Sequence, residues 1–206
     1  DPTQSREVLA MIAVVDEGGE LRDTLSILAS LRVEDSIAVR ELFRKHMPFA
    51  VAVGVDTPLA KTFYSKIKEL VNSFVAEESL DSPIRCIPVP LDIAVVFQAT
   101  KHAEKEFDAS AFIAPPPEAG LMLRRCTSAA RRLLDPLSEI AGLFTQHDYI
   151  LGLDLHPLRK LVNQPALKRR LETAFIRVVS EVGVDLNRIL EHSWMQSTLQ
   201  FVAGLG

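Results

Sequence analysis

Apolar positions divide this chain into a strand-and-helix half and a helical half. Phe49 to Val55 is apolar at every position, with Pro48 before it and Asp56-Thr57-Pro58 after it. A strand without alternation is covered on both faces, so this run predicts a central strand flanked by helices. Two helices are available. Val33–His46 repeats Val33, Ile37 and Phe43, with Leu42 beside them, and Leu59–Val75 repeats Leu59, Phe63, Ile67, Leu70, Val71 and Phe74. Those intervals of three and four make one apolar stripe per helix.

Upstream, Leu9–Val15 reads as a strand. Asp16-Glu17-Gly18-Gly19-Glu20 reads as a turn, and Leu21–Leu28 alternates, so the three form a hairpin. Downstream, Asp81-Ser82-Pro83 is a turn and Ile84–Val89 a short strand. Pro88 has no amide proton for a ladder, which places that strand at an edge or keeps it short. A helix is expected from Asp92 to about Phe107. Ala114-Pro115-Pro116-Pro117 reads as a rigid break outside helix and inner strand.

After that break the pattern is helical. Leu121–Leu134 is one helix, and Asp135-Pro136 supplies a cap and a first-turn proline for the next. Tyr149–Leu153 is ambiguous and could be a short strand, and His156-Pro157 breaks the chain again. Ala166–Val182 is a helix with Leu167, Leu171, Ala174 and Val178 inward, ended by Gly183. Asp185 can cap Leu186–Leu190, and Trp194–Val202 is a last helix. A hairpin followed by alternating helices and strands indicates a mixed α/β sheet.

Composition narrows this picture. The 206 residues are 48% hydrophobic and 24% charged, the profile of a folded domain with a sizeable core. No run approaches the roughly 20 apolar residues of a membrane span. Residues 1–120 carry 12 Lys and Arg against 19 Asp and Glu, whereas residues 121–206 carry 11 against 8. That asymmetry fits either a nucleic-acid surface or ordinary solvated helix faces. Cys86 and Cys126 form no CxxC and read as free thiols. The five histidines show no metal-ligand spacing, and no glycine loop matches a phosphate-binding motif.

Three stretches carry a family resemblance: Ala130–Glu139, Leu153–Leu158, and Val182–Arg188 with Leu199–Gly206. Together they resemble the family of the bacterial Tex protein and the eukaryotic elongation factor suppressor of Ty six. His156-Pro157-Leu158 and the Trp194 region are more like the eukaryotic branch. The resemblance implies an α/β fold: a ribonuclease H-like mixed sheet flanked by helices (a YqgF domain, residues 1–134), then an all-α connector over residues 135–206. Gly204-Leu205-Gly206 would open a helix-hairpin-helix module. In that fold the first strand lies mid-sheet, and Asp1-Pro2 resembles its end, so more protein is expected upstream.

Active members of that fold gather carboxylates around two metal ions. The candidates here are Asp1, Asp56, Asp92 and Glu118. The acidic position falls nearer Leu91 than Asp92, and Gly120 stands where a late-helix acid is wanted. The expectation is a vestigial centre with no metal, no cofactor and no catalysis; the plainer reading of Asp56 and Asp92 is capping and turn formation. An intact resolvase-like nuclease and a bacterial Tex protein are the alternatives. Arg124 with Arg131, and Arg125 with Arg132, share helix faces at intervals of seven, and Lys168-Arg169-Arg170 form a second cluster. They read either as phosphate contacts or as a solubilising face. The resemblance further implies a nuclear, non-catalytic scaffold and histone chaperone. Its partners would be the RNA polymerase II elongation complex, histones or nucleosomes, and DNA or RNA, with no membrane.

Overall fold

A computed structural model describes residues 8–80, 82–108, 117–144 and 147–205. Asp1 and Asp81 lie outside the described residues, as do most of the proline break and the side chain of Glu118.

The strand-and-helix half opens with β1 (Leu9–Val15) and β2 (Leu21–Leu28), paired antiparallel from Leu9 opposite Leu28 to Val15 opposite Leu21. Asp16 builds the turn, its carboxylate accepting from the Gly18 and Glu20 amides at 2.9 Å each. Helix α1 (Val33–His46) follows, then β3 (Ala50–Gly54) and α2 (Pro58–Glu77). Thr57 caps α2 through Ala60 N, and Pro58 fills the first helical position, where a missing amide proton costs nothing. Strand β4 (Arg85–Val89) pairs parallel to β3 alone, with Pro88 opposite Val53. Among the described residues, β1–β2 and β3–β4 are therefore two separate two-stranded sheets. The expected continuous mixed sheet is not seen among the described residues, where the antiparallel pair and the parallel pair stand apart.

Between them lies an apolar cavity of about 390 Å³, lined by every residue of β1 and β3, bordered by α1, α2 and α5 and open on one side to solvent. The facing edges can be read from the ladders. Ala29 N donates to Val8 O, so Val8, Ala10, Ile12 and Val14 bond towards β2, and Leu9, Met11 and Ala13 turn their polar groups to the cavity. Arg85 N donates to Phe49 O and Val55 N to Val89 O, which likewise turns Ala50, Ala52 and Gly54 outward.

Helices α3 (Asp92–Phe97) and α4 (Lys101–Asp108) replace the single helix predicted there. The buried Thr100 hydroxyl accepts from Ala103 N at 3.1 Å and starts a new helix, a local hydrogen bond that outcompetes continuation. Helix α5 spans Pro117–Leu134, so Pro117 opens a helix instead of forbidding one. Helix α6 (Pro136–Ala141) is capped by Asp135 through Ser138 N, as the Asp-Pro pair predicts. Tyr149–Gly152 is a 3-10 turn, not a strand; a second covers Pro157–Leu161, capped by the His156 ring. Helix α7 (Gln164–Val182) and α8 (Leu186–Glu191) follow, capped by Asn163 and Asp185. Ser193–Phe201 is 3-10 instead of the expected α-helix.

Two stripes differ in phase from the sequence reading. In α1, Val33 and Ile37 are exposed, and the buried pair is Val39 and Phe43. In α7, Val178 is exposed, and Phe175 and Val179 point inward, meeting Phe144 and Phe201 in an aromatic cluster. The larger core runs from Ile93 and Phe97 through Leu123 and Phe144 to Phe175 and Phe201, so it spans both sides of residue 134. A second core lies between α1, α2 and β3. Among the described residues, no helix is long and apolar enough to cross a membrane.

Candidate nucleic-acid interface

The acids at the carboxyl ends of β3 and β4 are occupied. Both Asp56 oxygens accept from the Leu91 amide, at 3.0 and 3.1 Å, tying the end of β3 to the start of α3. Asp92 pairs with Arg132 Nη1 at 2.5 Å. Leu91 side-chain atoms come within 2.5–2.9 Å of where a Cβ on Gly54 would stand, so β3 and this turn pack closely. Among the described residues, no three His, Cys, Asp or Glu side chains are grouped so as to hold a metal ion. Metal activation of water needs carboxylates with free oxygens converging on one point. Asp56 and Asp92 instead hold the backbone and an arginine.

The α5 arginines are taken up by partners within the protein. Arg124 Nη1 donates to Gln98 O at 3.2 Å and Arg125 Nε to Gln98 Oε1 at 2.5 Å. Arg132 also donates to Pro90 O at 2.9 Å. Arg131 is removed from the phosphate-contact set altogether, with a side chain 0% exposed. Its guanidinium forks onto Glu106, donates through Nε to Gly19 O at 2.8 Å, and stacks 4.9 Å from the Trp194 ring. Heptad spacing correctly groups residues on a face but does not say which face is inward; α5 packs against β1, α3 and α6 and has little outer surface.

That buried arginine belongs to a seat for the β1–β2 turn. Trp194 Nε1 donates to Gly18 O at 2.7 Å, and Arg188 Nη2 to Glu17 O at 3.0 Å. A Cβ on Gly19 (φ 80°) would stand 2.7–2.9 Å from the Trp194 ring, and one on Gly18 would overlap His192. Next to the seat, the buried Ser128 hydroxyl donates to Glu139. Burial pushes the Glu139 carboxyl up to about 7, against the pull of the Ser128 hydrogen bond and the Arg131 charge.

The α7 cluster differs. Lys168 is paired with Asp148 at 2.6 Å and Glu172 at 3.6 Å, and the Asp148 hydrogen bond raises its pKa. Arg169 and Arg170 are exposed. So is Arg177, which the sequence reading passed over although it stands seven residues after Arg170, the interval used for α5. At 100° per residue the three fall on one arc, opposite Leu171, Phe175 and Val179.

Comparison with known proteins shows what the chain is similar to. The helix-hairpin-helix motif family matches residues 148–206, which takes in α7, α8 and all three exposed arginines but none of α5. Transcription elongation factor SPT6 of Drosophila melanogaster is 29% identical over 100% of this chain, and the suppressor of Ty 6 homolog of Caenorhabditis briggsae 26% over 98%. SPT6 of Saccharomyces cerevisiae is 28% identical over 75% of the chain. The chain is SPT6-like. The SPT6-like chain spans only 10–13% of the length of these relatives. Its β1–β2 turn is held by side chains from within the matched helical region, Arg188 and Trp194, so the two halves of the SPT6-like segment are joined at a defined contact.

Proposed function

We propose that this chain is a non-catalytic nucleic-acid- and protein-binding platform within a transcription elongation factor. The observation that carries the reading is similarity to SPT6 along the whole chain together with the helix-hairpin-helix match. Backbone amides and basic side chains are the usual partners of phosphate oxygens, so the contact on this reading is with the nucleic-acid backbone and is sequence-independent. On this reading the whole protein is nuclear, acts as a histone chaperone and travels with RNA polymerase II. The engagement of Asp56 by Leu91 and of Asp92 by Arg132 supports a pseudo-nuclease over a working one.

The same reading takes residues 1–134 as a YqgF domain with a ribonuclease H-like sheet, followed by the helical connector. The cavity between β1 and β3 supports it, because two strand edges that have no partner strand among the described residues and face each other across an apolar gap are suited to a strand lying between them.

The test is a paired assay on branched and single-stranded DNA with magnesium or manganese. Binding without cleavage is expected. Divalent-dependent cleavage that disappears in Asp56→Asn would overturn the platform reading in favour of a resolvase-like nuclease.

A further inference from the structure

We infer that the outward face of α7 is a phosphate-binding ridge formed by Arg169, Arg170 and Arg177, and that its ligand is the backbone of a nucleic acid. The inference rests on the nucleic-acid reading above and assigns it to three side chains. Geometry comes first. Arg169 and Arg177 are eight residues apart and Arg170 and Arg177 seven, which is about 12 Å and about 10.5 Å along a helix. One strand of a duplex advances about 3.4 Å per phosphate, so the ridge spans roughly three to four phosphates of one strand.

Availability comes second. Each of the three is exposed, and among the described residues none of them makes an ion pair, whereas neighbouring Lys168 is held by Asp148 and Glu172. On the outer arc Thr173 lies between the arginines and Ala166 just before them, both small enough for a backbone to approach, and the one carboxylate, Glu181, stands a turn beyond Arg177 without an ion pair to it among the described residues. The α5 arginines offer none of this, being bonded to Gln98, Glu106 and Asp92.

Three neutralised phosphates set a measurable signature. The slope of log affinity against log salt should be about −2.7 from this ridge on a duplex and about −2.1 on a single strand. On duplex DNA that slope alone weakens binding roughly 40-fold between 50 and 200 mM salt. The experiment titrates the full chain with labelled duplex and single-stranded oligonucleotides across that range. It is then repeated with the triple variant Arg169→Ala, Arg170→Ala, Arg177→Ala and with a control lacking Lys61 and Lys68 on α2. Circular dichroism on each confirms the fold. The expected result is a triple variant whose salt slope falls by 2 to 3, with the control near wild type. Wild-type binding that the triple variant retains with the same slope overturns the ridge and leaves the nucleic-acid reading standing. Equal losses in control and triple variant overturn it too, in favour of a diffuse charge effect. No binding by the wild-type chain overturns the nucleic-acid reading itself.

Discussion

Glu139 is the residue whose chemistry departs furthest from its sequence appearance. It follows Asp135-Pro136-Leu137-Ser138 in a first helical turn, the ordinary place for a surface acid. The fold buries it beside Ser128, and loss of solvent raises its pKa from 4.5 to about 7. The sign of the consequence follows from linkage. The folded protein keeps this proton after the unfolded chain has released it, so stability falls as pH rises from about 4.5 to about 7. Each pKa unit corresponds to about 1.4 kcal/mol, giving a penalty on the order of 3 kcal/mol above that window. Glu139→Gln keeps an acceptor for the Ser128 hydroxyl and never ionises. It should be near neutral at pH 4 and raise stability by about 2–3 kcal/mol at pH 8. Denaturant melts of both proteins at the two pH values check this, and parallel pH profiles would count against it.

At the scale of elements, adjacent arginines on α5 part company. Sequence spacing gives Arg131 and Arg132 the same standing, because each completes a pair seven residues long. The structure puts Arg131 at the join of α5, α4, the β1–β2 turn and Trp194, and leaves Arg132 at a partly exposed pair with Asp92. Arg131→Ala would leave the Gly19 carbonyl without its donor, the partly exposed Glu106 without its main partner and a gap against Trp194, and should cost about 3 kcal/mol. Arg132→Ala should cost about 1 kcal/mol or less. Thermal denaturation of the two variants under one buffer decides it, and equal losses would contradict the buried seat. The strands, the turn at Gly18-Gly19 and the helix start at Asp135-Pro136 were legible in the sequence because their signals are local: alternation, positive φ, a capping carboxylate before a missing amide proton; Pro117 and Pro157 read as breaks because the same residue that starts a helix also stops one. The phase of α1 and α7 was not, since Val33, Ile37, Ala174 and Val178 satisfy the same three-and-four spacing as the residues that are buried. The turn's seat was not legible either. It depends on Trp194 meeting Gly18 across 176 residues, which no window along the chain contains.

For the molecule as a whole, the relation of the two sheets decides the architecture. Their facing edges carry the outward amides and carbonyls of Leu9, Met11 and Ala13 on one side and Ala50, Ala52 and Gly54 on the other. Only polar groups with partners sit comfortably against an apolar wall. One substitute partner is visible: the Cys126 thiol donates to Met11 O at 3.1 Å, a weak donor where a strand would offer an amide. A strand between β1 and β3 would bond both edges at once and merge the two sheets into the continuous one that the apolar run at Phe49–Val55 leads one to expect. This gives a measurement. Amide exchange at Ala50, Ala52 and Gly54 should be fast in the isolated 206-residue chain relative to Val51 and Val53, which already bond to β4. In the complete protein the same three amides should slow to match them if the ribonuclease H-like sheet is the right reading. Fast exchange at all three in the complete protein would mean the edges stay open, and the platform would then rest on two independent hairpin-sized sheets braced by α5.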